Sequence, residues 1–229
     1  MPTATAAHGN TEMTEPETLR AEREQVGELG REMLAQGLTR GTGGNVSVRS
    51  DDHVAISPSG VPYEEVTHET VPVVDLDGER IRGELKPSNE TPMHTILYRE
   101  RDDVGGIVHT HSPYASTFAS LNEPIPASHY LIAYAGTEIP VAGYEPPGTE
   151  ALGELAAEAM GADCDAVLLK NHGVMAVGAT GADALEVAQM VEYCARIHYQ
   201  AINVGEPELL PESEVRKLRE MFSETYGQQ

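Results

Sequence analysis

Apolar side chains recur at helical spacing at Leu19, Val26, Leu29, Met33 and Leu34, which predicts a helix over residues 16–36 that Gly37 stops. Ahead of it, residues 1–16 are rich in Thr, Ala and Glu without periodicity, so a disordered tail is expected there, with the folded domain over 17–229. After a glycine turn at 41–44, short β-type runs follow at 46–49, 54–56 and 71–75, and Asp77-Gly78 turns the chain into 80–81. These runs predict an antiparallel sheet. Ser88 is placed to cap a helix through Met93, Ile96 and Leu97 to about 101, and 105–110 reads as a buried strand. Pro113 opens a helix to Leu121, Thr149 caps one reaching Met160, and 167–169 is again a strand. Over 183–203, Ala184, Val187, Ala188, Val191, Cys194, Ala195, His198 and Ile202 share one helical face, and a last helix is expected over 212–222. Helices and short strands alternate without a βαβ repeat, so the pattern favours an α/β fold of αβα layers over a Rossmann fold.

A chain of 229 residues, 40% hydrophobic and 23% charged, is ordinary for one globular domain. Charge changes the picture more. Thirty-seven acidic residues face 15 basic ones, for a net charge of -22, and the lysines are only Lys86, Lys170 and Lys217. That excludes nucleic acid as an expected partner, because too little positive charge is available to neutralise a phosphate backbone. No apolar run reaches the roughly 18 residues of a membrane span, and no basic-then-apolar leader opens the chain, so a cytoplasmic protein without membrane contact is expected. Cys164 and Cys194 lack paired spacing and read as reduced thiols.

The chemistry concentrates at strand ends. His109-Thr110-His111 closes an apolar strand, where alternate residues share a face and two imidazoles can chelate one ion. Lys170-Asn171-His172-Gly173 ends a second apolar strand and offers a third imidazole beside a glycine that permits a sharp turn. Taken singly, such histidines are more often polar or capping residues, and Glu90 at a helix start is more often a cap than a catalyst. Glu90 and His94 are four apart, but His94 reads as a packed or hydrogen-bonded residue. Three small-residue segments, Gly41-Thr42-Gly43-Gly44-Asn45-Val46-Ser47, Ser57-Pro58-Ser59-Gly60 and Lys86-Pro87-Ser88-Asn89-Glu90, can aim N–H and O–H donors at an anion such as phosphate.

The order of these motifs, from about residue 17 onward, resembles the class II aldolase/adducin family. Within it, His129-Tyr130 and the C-terminal Tyr226 point to the branch that cleaves L-fuculose 1-phosphate or a similar ketose 1-phosphate. The resemblance implies a three-layer αβα single domain with a mainly antiparallel central sheet. It also implies a homotetramer with active sites between subunits, and release of dihydroxyacetone phosphate and a small aldehyde such as lactaldehyde. By the same resemblance, His109, His111 and His172 would bind zinc, one ion per subunit, or another divalent metal, with Glu90 as catalytic acid/base. Thr42, Gly44, Asn45, Ser59, Gly60, Ser88 and Asn89 would hold the phosphate. Tyr130 would reach a neighbour's site to exchange a proton with the aldehyde oxygen, and Tyr226 would help close the pocket. Asn89 stands where that branch has a second serine, and Pro147 near a position where it has an aromatic residue.

The chemistry agrees with this reading: cleavage beside a ketone leaves an enediolate that needs a Lewis acid or an iminium, and no lysine is suited to the latter. A 5-deoxypentulose 1-phosphate would give the same phosphorylated fragment with a shorter aldehyde. A pentulose-phosphate 4-epimerase or a dehydratase shares the metal site, and a non-catalytic adducin-like scaffold predicts eroded ligands that this chain does not show. The acidity itself reads as a solvation adaptation to a halophilic cytoplasm, in which salt screens self-repulsion. The melting temperature is therefore expected to rise with KCl concentration; a flat or falling dependence removes that interpretation.

Overall fold

The computed structural model describes residues 19–225. The expected N-terminal tail and Tyr226 lie outside the described residues. In chain order the elements are α1 (Arg20–Ala35), β1 (Asn45–Ser50), β2 (His53–Ile56), β3 (Val73–Asp75), β4 (Arg80–Arg82), α2 (Thr91–Glu100), β5 (Gly106–Thr110) and α3 (Pro113–Leu121). They continue as β6 (Val141–Ala142), α4 (Glu150–Met160), β7 (Ala166–Leu169), β8 (Gly173–Gly178), α5 (Gly181–Ile202) and α6 (Glu212–Thr225). The strands form one sheet in the order β4-β3-β2-β1-β5-β8-β7-β6. Every pairing is antiparallel except β6 with β7.

Alternation along the central strands builds two cores, because successive side chains leave a strand on opposite faces. Val46, Val48, Val108, Leu168, Val174 and Ala176 face the layer of α1, α3 and α5, where they meet Val26, Met33, Phe118, Ala184 and Val191. Ile107, Val167, Leu169, Met175 and Val177 face the other way, against Met93, Leu97 and Tyr98 of α2 and Leu152, Ala156 and Met160 of α4. The sheet is thus sandwiched between helical layers, an α/β fold with a mainly antiparallel centre, as the sequence leads one to expect. Cys164 and Cys194 are both free.

The differences from the sequence pattern have local causes. Ser88 does not cap α2: its Oγ accepts from the Glu90 N–H, Glu90 itself holds the N-cap position, and the helix starts at Thr91. Pro92 explains the late start, since proline is suited to the first turn, where its missing N–H costs nothing. The strand expected at 71–75 begins only at Val73; Pro72 still accepts from the Ile56 N–H but has no donor with which to extend the ladder. β8 is not visible in the sequence pattern, because glycines at both of its ends and an unbroken apolar run hide any period of two. Thr180 closes a reciprocal capping box with Asp183 at the start of α5, the longest helix.

The weights of cap and core differ. Thr180→Ala should lower stability by about 1 kcal/mol. Leu168→Ala, at a position that is 0% exposed, should cost about 2–5 kcal/mol. Urea titration of both variants checks the contrast.

Candidate metal centre

His109 is placed by register. It lies on β5 between Asn45 of β1 and Met175 of β8, near the end of the sheet where all three strands meet a turn. His111 follows two residues on, just past the strand. His172 arrives from the turn between β7 and β8, where Asn171 adopts a left-handed φ of 56° and the His172 N–H donates to Leu169 O. Gly173 makes the convergence sterically feasible. A Cβ there would sit 2.2 Å from Thr110 O, 3.0 Å from His111 Cδ2 and 3.3 Å from His109 Cε1. Gly44 does the same from the other side: its φ is +67°, and a Cβ would lie 2.6 Å from His109 O.

The three rings pack with centroids 4.7–5.2 Å apart, and one nitrogen from each lies within 4.8 Å of the others. His109 Nδ1 donates to Val174 O at 2.8 Å, which leaves its Nε2 a bare lone pair, and that atom is 3.0 Å from His111 Nε2. Glu90 closes the group, with Oε2 3.3 Å from His109 Nε2 and Oε1 3.2 Å from His172 Nε2. Asn45 Nδ2 donates to Oε2 of the same carboxylate at 2.7 Å.

The electrostatics ask for a cation that is not a proton. Burial pushes the fully enclosed His109 down to about 3, and His111 is lowered by burial and by His172. Burial alone would raise Glu90, but positive charge at His109 and His172, together with the Asn45 amide, outweighs it and holds the carboxyl below the usual range. The carboxylate therefore favours positive charge beside a His109 ring too buried to take up a second proton. A divalent ion meets both demands. Two nitrogens on a tetrahedral zinc lie roughly 3.3 Å apart, close to the His109–His111 spacing, and the Val174 carbonyl supplies the backing hydrogen bond that a ligating imidazole needs. The residues fit a metal.

Beside this cluster opens a cavity of about 370 Å³. Thr42, Gly44, Asn45, Ser59, Gly60, Ser88 and Asn89 all line it, with Glu90, His111 and Pro147. Two of its loops are tied together: Ser59 N–H donates to Lys86 O, Ser88 N–H donates to Ser57 O, and Pro58 bridges Pro87. Tyr63, which carried no signal in the sequence, braces the third loop by donating to Gly44 O at 3.2 Å. The Asn45 amide is held at both ends, since Oδ1 meets His94 Nε2 at 2.5 Å. Tyr130 is not brought to this cavity; it stands half exposed at the start of a 3-10 helix, Tyr130–Tyr134, beside His129 and Phe222.

Residues 24–199 match the model of a family described as Class II Aldolase and Adducin N-terminal domain. The chain is 50% identical over 213 residues to a 5-deoxy-D-ribulose 1-phosphate aldolase of Bacillus thuringiensis serovar kurstaki, covering 92% of this chain and 99% of that one. It is 39% identical over 198 residues to a 5-methylthioribulose-1-phosphate/5-deoxyribulose-1-phosphate aldolase of Rhodospirillum rubrum, covering 86% and 88%. A solved L-fuculose 1-phosphate aldolase superimposes with a TM-score of 0.86 at 41% identity, covering 89% of this chain and 96% of that chain.

Gly173→Ala should weaken zinc binding by at least 10-fold in a chelator-competition titration, because the new methyl displaces the His109 and His111 rings. Wild-type affinity in a folded Gly173→Ala protein would contradict the packing argument.

Proposed function

The chain belongs to the class II aldolase and adducin family, and from that membership we propose that it is a metal-dependent aldolase, a lyase that cleaves a ketose 1-phosphate reversibly into dihydroxyacetone phosphate and a small aldehyde. One observation carries the reading: three imidazoles and a carboxylate converge beside a cavity, with Glu90 and His111 in its wall, whose remaining lining is uncharged and rich in hydroxyls, amides and glycine backbone. A nitrogen-only ligand set suits zinc, one ion per subunit.

Bound by His109, His111 and His172, the ion would supply Lewis-acid stabilisation for negative charge developing on oxygen as a carbon–carbon bond beside a ketone breaks. Glu90 acts as acid/base. It returns a proton to the carbon that leaves with the phosphorylated fragment, and in the condensation direction removes it. The hydroxyls of Thr42, Ser59 and Ser88, the Asn89 amide and the backbone at Gly44 and Gly60 hold the phosphate. Asn45 sits where that loop meets the acid/base group. Tyr130, half exposed and absent from its own subunit's cavity, is assigned to a neighbour's site within a homotetramer, where its phenol exchanges a proton with the aldehyde oxygen. Tyr226 is assigned to closing the pocket. Residues 17–229 form the catalytic domain, and the enzyme works in the cytoplasm; no described helix is long and apolar enough to cross a membrane.

For the substrate, a 5-deoxypentulose 1-phosphate is favoured over L-fuculose 1-phosphate. Identity reaches 50% over nearly the whole 5-deoxy-D-ribulose 1-phosphate aldolase, against 41% for the solved fuculose-phosphate enzyme. Pro147 in the cavity wall also marks a departure from the latter.

Metal-loaded protein given a panel of ketose 1-phosphates should release dihydroxyacetone phosphate, with the highest kcat/KM on a 5-deoxypentulose 1-phosphate. Glu90→Gln should lose about 10²–10⁴-fold in kcat while keeping its metal. Release of no dihydroxyacetone phosphate from any member, or full activity in a metal-loaded Glu90→Gln protein, would overturn this assignment.

A further inference from the structure

Glu90 at the N-cap of α2 and His94 and Tyr98 within the helix follow at four-residue intervals, and β1 beneath presents Asn45 and Ser47 at a two-residue interval. Four helical residues rise roughly 6 Å and two strand residues roughly 6.7 Å, so the two rows interleave one for one. The product is an unbroken hydrogen-bonded run behind the acid/base carboxyl. Asn45 Nδ2 reaches Glu90 Oε2 at 2.7 Å, and Asn45 Oδ1 meets His94 Nε2 at 2.5 Å. His94 Nδ1 meets Ser47 Oγ at 2.7 Å, and Ser47 Oγ meets the Tyr98 hydroxyl at 2.8 Å. His94, Ser47 and Tyr98 are all 0% exposed.

Donor and acceptor inventories allow one arrangement once Glu90 is ionised. The carboxylate only accepts, so the amide turns its N–H to Glu90 and its carbonyl to His94. His94 must then carry its proton on Nε2. Its Nδ1 accepts from Ser47, and Ser47 accepts from Tyr98. Burial supports the neutral ring, driving a second proton from His94 down to about 4 despite the pull of Glu90.

We propose that His94 is a positioning residue for Glu90: backed by Ser47 and Tyr98, it locks the Asn45 amide so that an N–H, and not a carbonyl, faces the acid/base carboxylate. The proposal rests on the reading of Glu90 as acid/base. A purely structural role would need only that these buried groups be paired; a positioning role demands one particular tautomer and a consequence in turnover.

The test uses the full-length, metal-loaded enzyme. His94→Leu frees the Asn45 amide to rotate and should lower kcat by about 10–100-fold, with KM for the ketose phosphate and metal content unchanged. His94→Gln can donate to Asn45 and accept from Ser47, and should recover most of that loss. Nitrogen-15 NMR of the wild type should show His94 as the neutral Nε2–H tautomer from pH 6 to 8, a measurement that decides the matter even where His94→Leu fails to fold. A folded, metal-loaded His94→Leu enzyme with wild-type kcat, or an Nδ1–H or doubly protonated His94, would refute the proposal. Glu90→Gln run in the same assay separates the two ideas. If it is inactive while His94→Leu is unimpaired, positioning alone fails; if it is fully active, the acid/base reading fails and positioning with it.

Discussion

The buried His109 turns the lone pair of its Nε2 toward the Glu90 carboxylate at 3.3 Å, setting one acceptor against another, and a cation among the rings relieves that repulsion. This constraint organises the centre of the molecule. The sheet satisfies its geometric side: β5 sets His109, the turn into β8 sets His172, and a glycine at 173 removes a Cβ that would keep the two strands' ends from closing on the rings. The backbone then fixes the chemistry, since the Val174 carbonyl takes the only proton that neutral His109 carries. A site built in this way is assembled by folding and discharged by metal, so fold stability and metal affinity are linked quantities.

On the proposed function, the same reasoning explains how a chain of net charge -22 would hold a phosphate ester. Long-range potential opposes the approach of a dianion, and no cation lines the cavity among the described residues. Short-range donors replace charge: hydroxyls, amides and backbone N–H groups from three loops, two of them stitched by reciprocal hydrogen bonds across Pro58 and Pro87. Donors fixed by the fold need little reordering when an anion arrives, which offsets part of the cost of binding.

Much of this arrangement is legible in the residue order. The layered α/β fold and its antiparallel centre follow from the short β-type runs and the periodic helices, and His109 and His111 declare themselves by period two. What stays hidden depends on contacts between distant segments. Tyr63 supports Gly44 from nineteen positions away, and nothing local in its surroundings signals that. The pairing of α2 with β1 is likewise invisible, although the spacing of Glu90, His94 and Tyr98 and that of Asn45 and Ser47 are both plain. Ser88 misleads because a serine three residues before a helix and a serine at its cap look alike until Pro92 sets the start.

The placement of polar residues in β1 shows what the site demands of the fold. Val46 and Val48 fill one face of the strand with apolar volume, whereas Asn45 and Ser47 occupy core-facing positions on the other. Apolar side chains there would each contribute roughly 1.5–3 kcal/mol of burial, and an unpaired amide or hydroxyl would instead cost about 1–3 kcal/mol. The strand avoids that penalty only because α2 delivers His94 and Tyr98 in matching register, so the polar row survives as a complete set or not at all. Such all-or-none satisfaction gives one amide orientation rather than two, which is the property that an acid/base carboxylate beside a metal site requires of its neighbour.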